Sequence, residues 1–377
     1  MTALPKGVLR EALVDTGAIS ANVRHLRRLT ESSVIAVVKA DGYGHGAVRS
    51  AAAALDGGAD RVAVADIGEA LQLRRGGIDA PILAWLHAPG ASFAEAAAAH
   101  VEIGISSFDQ LLAAAAAASG EHPVSVHLKV ETGLGRNGIA PSDYGLVFAE
   151  AARLERLGKI RVTGIFSHLS NTSEADDRTA LSRFTVALAG AGSYGLTPQI
   201  RHIAASHAAI ALPESRLGCV RLGLSIYGLS PFADRTSADL GLRPAMTLRG
   251  AVAAVRRVSA GQGVSYGYTH RTSSETTLAL IPLGYGDGVP RHASGTGPVE
   301  LGGAVRTIAG RVCMDQIVLD CGDDPVAEGD VAVLFGPGDD GGPTADDWAE
   351  VVGTINYEIV TRFHSARVPR VYDGERS

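Results

Sequence analysis

Cysteine is scarce in this chain of 377 residues: Cys219, Cys313 and Cys321 stand far apart, with no C-x-x-C among them. An odd, scattered set indicates neither a disulfide framework nor a zinc site, so no metal is expected. Excess positive charge is lacking as well. The formal net charge is −6, which argues against nucleic acid or a membrane surface as a partner. No run of about 18 uninterrupted apolar residues occurs. Met1 to Ser20 show no apolar core flanked by basic residues, as a secretory leader would. The expectation is a cytoplasmic enzyme. With 46% apolar and 20% charged residues the composition is that of a folded globular chain, and the length favours two domains.

Short β-branched runs recur at Val34–Ala40, Arg61–Asp66, Pro81–His87, Val101–Ser106, Val124–Thr132, Val162–Ser170, Ile200–Ser206 and Cys219–Gly228. Their average step of about 26 residues is that of a βα unit. Helical stretches fill most intervals. Ile67–Arg75 follows Asp66, has Glu69 placed for a capping box and stops at Gly76. Ser107 to Gln110 opens an Ala-rich helix in the same way, and Gly120 closes it. Eight strands alternating with helices predict an α/β fold, a (β/α)8 TIM-like barrel. An open doubly wound sheet is disfavoured, because no G-x-G-x-x-G follows the first strand.

Beyond Arg243-Pro244 the pattern changes. Strands are expected at Met246–Val258, Thr276–Pro282, Val305–Val312, Gln316–Cys321 and Val331–Phe335, many of them separated by Gly-Gly, Gly-Asp and Asp-Gly turn signals. The barrel should therefore occupy about 12–245 and a mostly β domain about 246–377, with residues 1–11 able to join either.

Barrel enzymes gather their reacting groups where strands end and βα loops begin. Lys39 lies at the first such place, in AVVKADGYGHG. Burial there depresses an amine's pKa and frees it for Schiff-base chemistry, although a rim lysine that snorkels to water is the plainer reading. The three glycines of the Asp41-Gly42-Tyr43-Gly44-His45-Gly46 loop allow close backbone approach to a ligand. Arg136 follows strand 5, His168 ends strand 6, Ser206 ends strand 7, and strand 8 holds Arg221 and Gly223. Ser206 and Gly223 suit an anion but are common residue types. A guanidinium in an apolar strand needs partners; His168 is one candidate, whether in a ligand site or a packing pair.

Together these residues resemble the alanine racemase family. The similarity runs from DTGAISANVRHLR to TINYEIVTR, and its most specific blocks are AVVKADGYGHG, KVETGLGR, VSYG, GYGDGVPR and GRVCMDQ, in that order. The resemblance implies a barrel plus a β domain, pyridoxal 5'-phosphate (PLP) as cofactor, and interconversion of L- and D-alanine that supplies peptidoglycan. Lys39 would carry PLP and act as one catalytic base, with Tyr266 as the other on the opposite face of the substrate. Arg221, held by His168, would bind the pyridine nitrogen. Arg136 would contact the cofactor and help hold the substrate carboxylate, which the Met314 backbone would also meet. Tyr43, Ser206, Gly223, Leu224 and Tyr357 would cradle the phosphate. Lys129 matches a lysine that can be carbamylated, and Tyr285, Arg291 and Arg311 match the substrate access route. A homodimer is implied, with Tyr266 reaching the other subunit's site. One departure stands out: Ala205-Ser206 replaces the usual Asn-Ser. Rival readings are a serine or broad-spectrum racemase of the same fold, a PLP-binding barrel without racemase activity, a decarboxylase, and a PLP-free lyase.

Overall fold

Several barrel strands read as near-continuous apolar runs, and the structure shows why. In a computed structural model covering residues 4–119, 122–363 and 366–373, both faces of these strands are buried. Val101–Ile105 and Cys219–Leu222, for example, have no exposed residue. Layers of side chains fill the interior, and helices cover the outside.

Strand β1 is Arg10–Val14. The barrel strands are β2 Ser33–Val37, β3 Arg61–Val64, β4 Ile82–Ala84, β5 Val101–Ile105, β6 Val124–Lys129, β7 Ile160–Phe166, β8 Ile200–His202 and β9 Cys219–Leu222. They pair in parallel in the order β8-β7-β6-β5-β4-β3-β2-β9. No ladder joins β8 to β9, but the Arg221 N–H donates to the Ala204 carbonyl at 3.0 Å across that seam. All eight predicted barrel strands are present, each trimmed at the C-terminal end, where the chain leaves the ladder to build loops.

The expected capping box at Ile67–Arg75 forms only by half. Asp66 accepts from the Glu69 N–H at 3.0 Å. The Glu69 carboxylate, however, turns to the backbone N–H groups of Ala65 (2.7 Å) and Ala40 (2.6 Å). It thereby ties β3 to the turn that carries Lys39. Gln110 likewise accepts from Ser106 at 2.8 Å, one residue before its N-cap. The Ala-rich helix spans Phe108–Ala116; Gly120, expected to close it, lies outside the described residues.

The chain divides into two compact units, the barrel (19–42 and 47–242) and a β-rich unit that takes the described residues up to 18, Tyr43–Gly46 and those from 243 onward. Strand β1 falls in the β-rich unit. β1 pairs antiparallel with β10 (Met246–Ala251), register Val14↔Met246, and the Glu11–Arg249 ion pair (2.7 Å) is buried between them. The β-rich unit continues with β11 Ala254–Val258, β12 Gly263–Val264, β13 His270–Arg271, β14 Thr276–Ile281, β15 Pro298–Leu301, β16 Ala304–Thr307, β17 Ile317–Asp320, β18 Val331–Phe335 and β19 Arg370–Tyr372. Its main sheet runs β16-β15-β18-β10-β1-β19, beside a three-stranded β11-β14-β17 sheet.

The run expected as one strand over Met246–Val258 is two, because the chain changes sheets at Val252-Ala253. The strand expected at Val305–Val312 ends at Thr307. Its partner β15, joined to it through Gly302-Gly303 with both φ positive (63° and 80°), escapes the sequence reading. Such a pair of left-handed glycines suits a tight hairpin. Among the described residues no helix is long and apolar enough to cross a membrane.

Candidate active site

The chain makes a left-handed turn directly after Lys39. Ala40, Asp41, Gly42 and Tyr43 all have φ between +50° and +65°, a conformation that costs a non-glycine residue roughly 1–2 kcal/mol. Hydrogen bonds hold the turn: Gly42 N–H to the Val38 carbonyl (2.9 Å), Ala47 N–H to Asp41 Oδ1 (2.9 Å), and Ala40 N–H to Glu69. Glycine is required at 42, where a Cβ would lie 2.8 Å from Ser50 Oγ. Strain held in place by surrounding bonds is a common mark of a functional turn.

Lys39 is partly buried, and burial is the main cause that draws its ammonium below the ordinary lysine range. The Arg136 charge acts in the same sense, Glu69 opposes it, and Arg221 lowers it further. Lys129, at the end of β6, is pulled down to about 8 by burial and then by Arg136 and Arg221. Its ammonium and the Arg221 guanidinium both face the Phe166 ring, at 5.8 and 5.7 Å from the centroid. The barrel mouth is thus crowded with cations, a field suited to an anionic ligand.

Arg221 is the best-defined group. It is 4% exposed. Its Nη1 donates to His202 Nδ1 (2.8 Å) and the His202 carbonyl (3.0 Å). Its Nη2 faces the carbonyls of Ser167 (2.8 Å) and Ile203 (2.9 Å) and His168 Nδ1 (3.0 Å). A guanidinium has five N–H groups. Four are taken, which leaves Nε–H as the one donor without an acceptor among the described residues. Arginine cannot accept, so both histidines must present bare Nδ1 atoms. They stay neutral: burial, then the Arg221 charge, push His168 down to about 2 and His202 well below its usual value. The partner role expected of His168 holds. His202 was legible only as a strand residue, because nothing local marks its ring as a second acceptor.

Two loops carry the anion candidates. The Gly223 N–H donates to Ser206 Oγ at 3.2 Å, which joins the ends of β8 and β9, and Leu224 is buried beside them. Ala205 occupies the N-cap of helix Ser206–Ala211 in extended geometry, with no side-chain cap.

Within the β-rich unit, the Tyr43 and Tyr357 rings lie 6.1 Å apart. Tyr266 follows Ser265, whose φ is +60°, and is 70% exposed. Ser265 Oγ donates to the Arg311 carbonyl at 2.7 Å. The GYGDG and CMDQ blocks meet through Tyr285 N–H to the Cys313 carbonyl (2.9 Å) and Gly286 N–H to the Met314 carbonyl (2.8 Å). Tyr285, Arg291, Arg311 and Met314 are exposed.

The chain matches the alanine racemase N-terminal domain over residues 14–231 and the C-terminal domain over 245–372. It is 53% identical to the alanine racemase of Salinispora arenicola and 52% identical to that of Thermobifida fusca, covering 97% of this chain in each case and 99% and 98% of those proteins. The solved alanine racemase of Streptomyces coelicolor superposes with a TM-score of 0.94 at 46% identity, covering 97% of this chain and 98% of that one. The structure from Streptomyces lavendulae gives 0.93 at 45%, with 98% of both covered. Fold and sequence together define the class, a two-domain amino-acid racemase and hence an isomerase. The chain belongs to the alanine racemase family.

Proposed function

We propose that this chain interconverts L- and D-alanine with PLP carried on Lys39, as a cytoplasmic homodimer that supplies D-alanine for peptidoglycan. The observation that carries the proposal is the Arg221 collar, where one guanidinium N–H remains for an acceptor once all Nη donors are spent. A pyridine ring nitrogen is such an acceptor. The other groups also fit PLP: an amine of depressed pKa in Lys39, and an anion-binding hydroxyl and N–H in Ser206 and Gly223. Tyr43, Leu224 and Tyr357 complete the set that the family resemblance assigns to the phosphate. When bound, PLP supplies an electron sink that acidifies the substrate Cα–H.

The chain's own residues do the rest. Racemisation removes a proton from one face of Cα and returns one to the other, so two bases on opposite faces are the economical arrangement. Lys39 Nζ, its pKa lowered by burial and by Arg136, holds the proton on one face. Tyr266 of a second copy holds it on the other. Arg136 and the Met314 backbone orient the substrate carboxylate. Arg221 stays a cation, because burial lowers its pKa only to about 10. It therefore offers a hydrogen bond to the ring nitrogen without protonating it, which weakens the sink and limits side reactions.

Borohydride reduction of PLP-saturated protein followed by peptide mapping tests this reading. The expected product is one reduced adduct, on the peptide containing Lys39, and none in Lys39→Ala. An adduct on another lysine, or PLP lost on denaturation after reduction, would overturn it.

A further inference from the structure

The partners of Arg221 do not end at His202. His202 Nδ1 accepts from Arg221, so the proton of this neutral ring sits on Nε2. That Nε2 lies 3.0 Å from His127 Nδ1 and must donate to it. His127 then carries its own proton on Nε2, which lies 3.3 Å from Glu102 Oε2. Arg61 Nη1 grips the same carboxylate at 2.8 and 2.9 Å. His127 and His202 are fully buried, and Glu102 is nearly so. The two links from the guanidinium to His202 and from His202 to His127 each admit one direction only, and the last N–H then lies beside a carboxylate.

Three features outside this series fix its rings. β6 and β7 slip in register between Val126 and His127, a local irregularity of the kind that re-aims a side chain. His127 then pairs with Gly164, where a Cβ would sit 2.3 Å from Nδ1, so only glycine leaves room for the ring. Phe166 stacks on His202 at 4.8 Å with planes 3° apart and stands edge-on to His127 at 70°. Burial works against the Glu102 charge, but His127 and Arg61 outweigh it and hold the carboxyl below its usual range.

We infer that His127 and Glu102 are positioning residues for Arg221: through His202 they set the tautomer that makes the guanidinium's collar, and so the direction of its free Nε–H. If His127 could not accept, His202 would be free to move its proton to Nδ1. A donor would then face a donor at Nη1, and the guanidinium would turn. The consequence for PLP rests on the reading of Arg221 proposed above, whereas the tautomers do not.

Nitrogen-15 NMR of histidine-labelled full-length protein at neutral pH, with and without PLP, tests the inference. In the unsubstituted chain both His202 and His127 should be neutral with the proton on Nε2. A cation or an Nδ1–H at either ring overturns the proposal, whatever PLP does. Two substitutions separate relay from packing. His127→Asn keeps an acceptor near the Nδ1 position, so His202 should stay Nε2–H and PLP release should change by less than about threefold. His127→Leu fills the space without an acceptor. It should scramble the His202 tautomer and speed PLP release by about tenfold or more, as loss of an outer supporting bond does elsewhere. The reverse order, with Leu tolerated and Asn damaging, would show that His127 only fills volume. Loss of PLP binding in the unsubstituted chain with both tautomers as described would count against the cofactor reading and not against the relay.

Discussion

Replacing Arg221 by alanine should destabilise the barrel before it affects any chemistry. Arg221 is 4% exposed, and its guanidinium contacts five acceptors on two segments, at Ser167-His168 and His202-Ile203. The His202 carbonyl also accepts from Ser167 N–H at 3.2 Å, and the two imidazoles can change tautomer, so not every acceptor is orphaned. Each buried acceptor left without a donor costs about 1–3 kcal/mol, so the combined loss should be about 3–5 kcal/mol. Thermal midpoints move by roughly 2–4 °C per kcal/mol at this size, so the expected drop is about 6–20 °C. Arg221→Lys restores a charge and three donors but not the planar fork, and should recover about half of the loss. Thermal denaturation of PLP-free protein reads this stability, and a visible-absorbance titration with PLP reads the site. A drop below about 2 °C in Arg221→Ala would refute the collar as a structural element. Full PLP affinity in Arg221→Ala would refute its role toward the ring nitrogen.

The remaining expectations are briefer. His168 titrates at about 2 in the fold against 6.5 in an unfolded chain, so below pH 6.5 the unfolded state binds the extra proton. Stability should therefore fall as pH drops from 6.5, and His168→Gln should show a shallower fall in urea titrations; an unchanged slope would contradict the assigned burial. Ala205→Asn places a capping side chain on an N-cap already in extended geometry. It should raise stability by about 1 kcal/mol and slow PLP release, and no change in either would show the position to be indifferent. Mixed Lys39→Ala and Tyr266→Phe subunits should regain activity that neither parent has, since one site of the heterodimer is intact. A verified heterodimer without activity would refute a shared site.

Much of the barrel was legible because a parallel strand buried on both faces leaves a largely apolar run, and eight β-branched segments at a βα step, several of them of this kind, admit few other folds. Lys39, His168 and Arg221 were legible for a related reason, since charged or polar residues at the ends of such runs have no apolar explanation. The β-rich unit was harder. β15 and β19 are short, and β1 is defined by pairing with Met246–Ala251, more than two hundred residues away. Glu69 reads as a helix cap because capping is local, whereas its bond to Ala40 depends on how two strands sit side by side. His127 and His202 look like ordinary strand residues. Only the register of β6, β7 and β8 brings their rings to 3.0 Å, and no pattern in either segment encodes that register.

The central claim is racemisation of alanine, and chiral chromatography tests it most directly. L-Alanine, L-serine and L-lysine are incubated separately with PLP-saturated protein and followed to equilibrium. Alanine should approach an equal mixture of enantiomers far faster than the other two, and Lys39→Ala should leave it unchanged. Faster turnover of serine or lysine would keep the fold and the two bases but contradict the substrate. Bound PLP with no racemisation of any of the three would contradict the account.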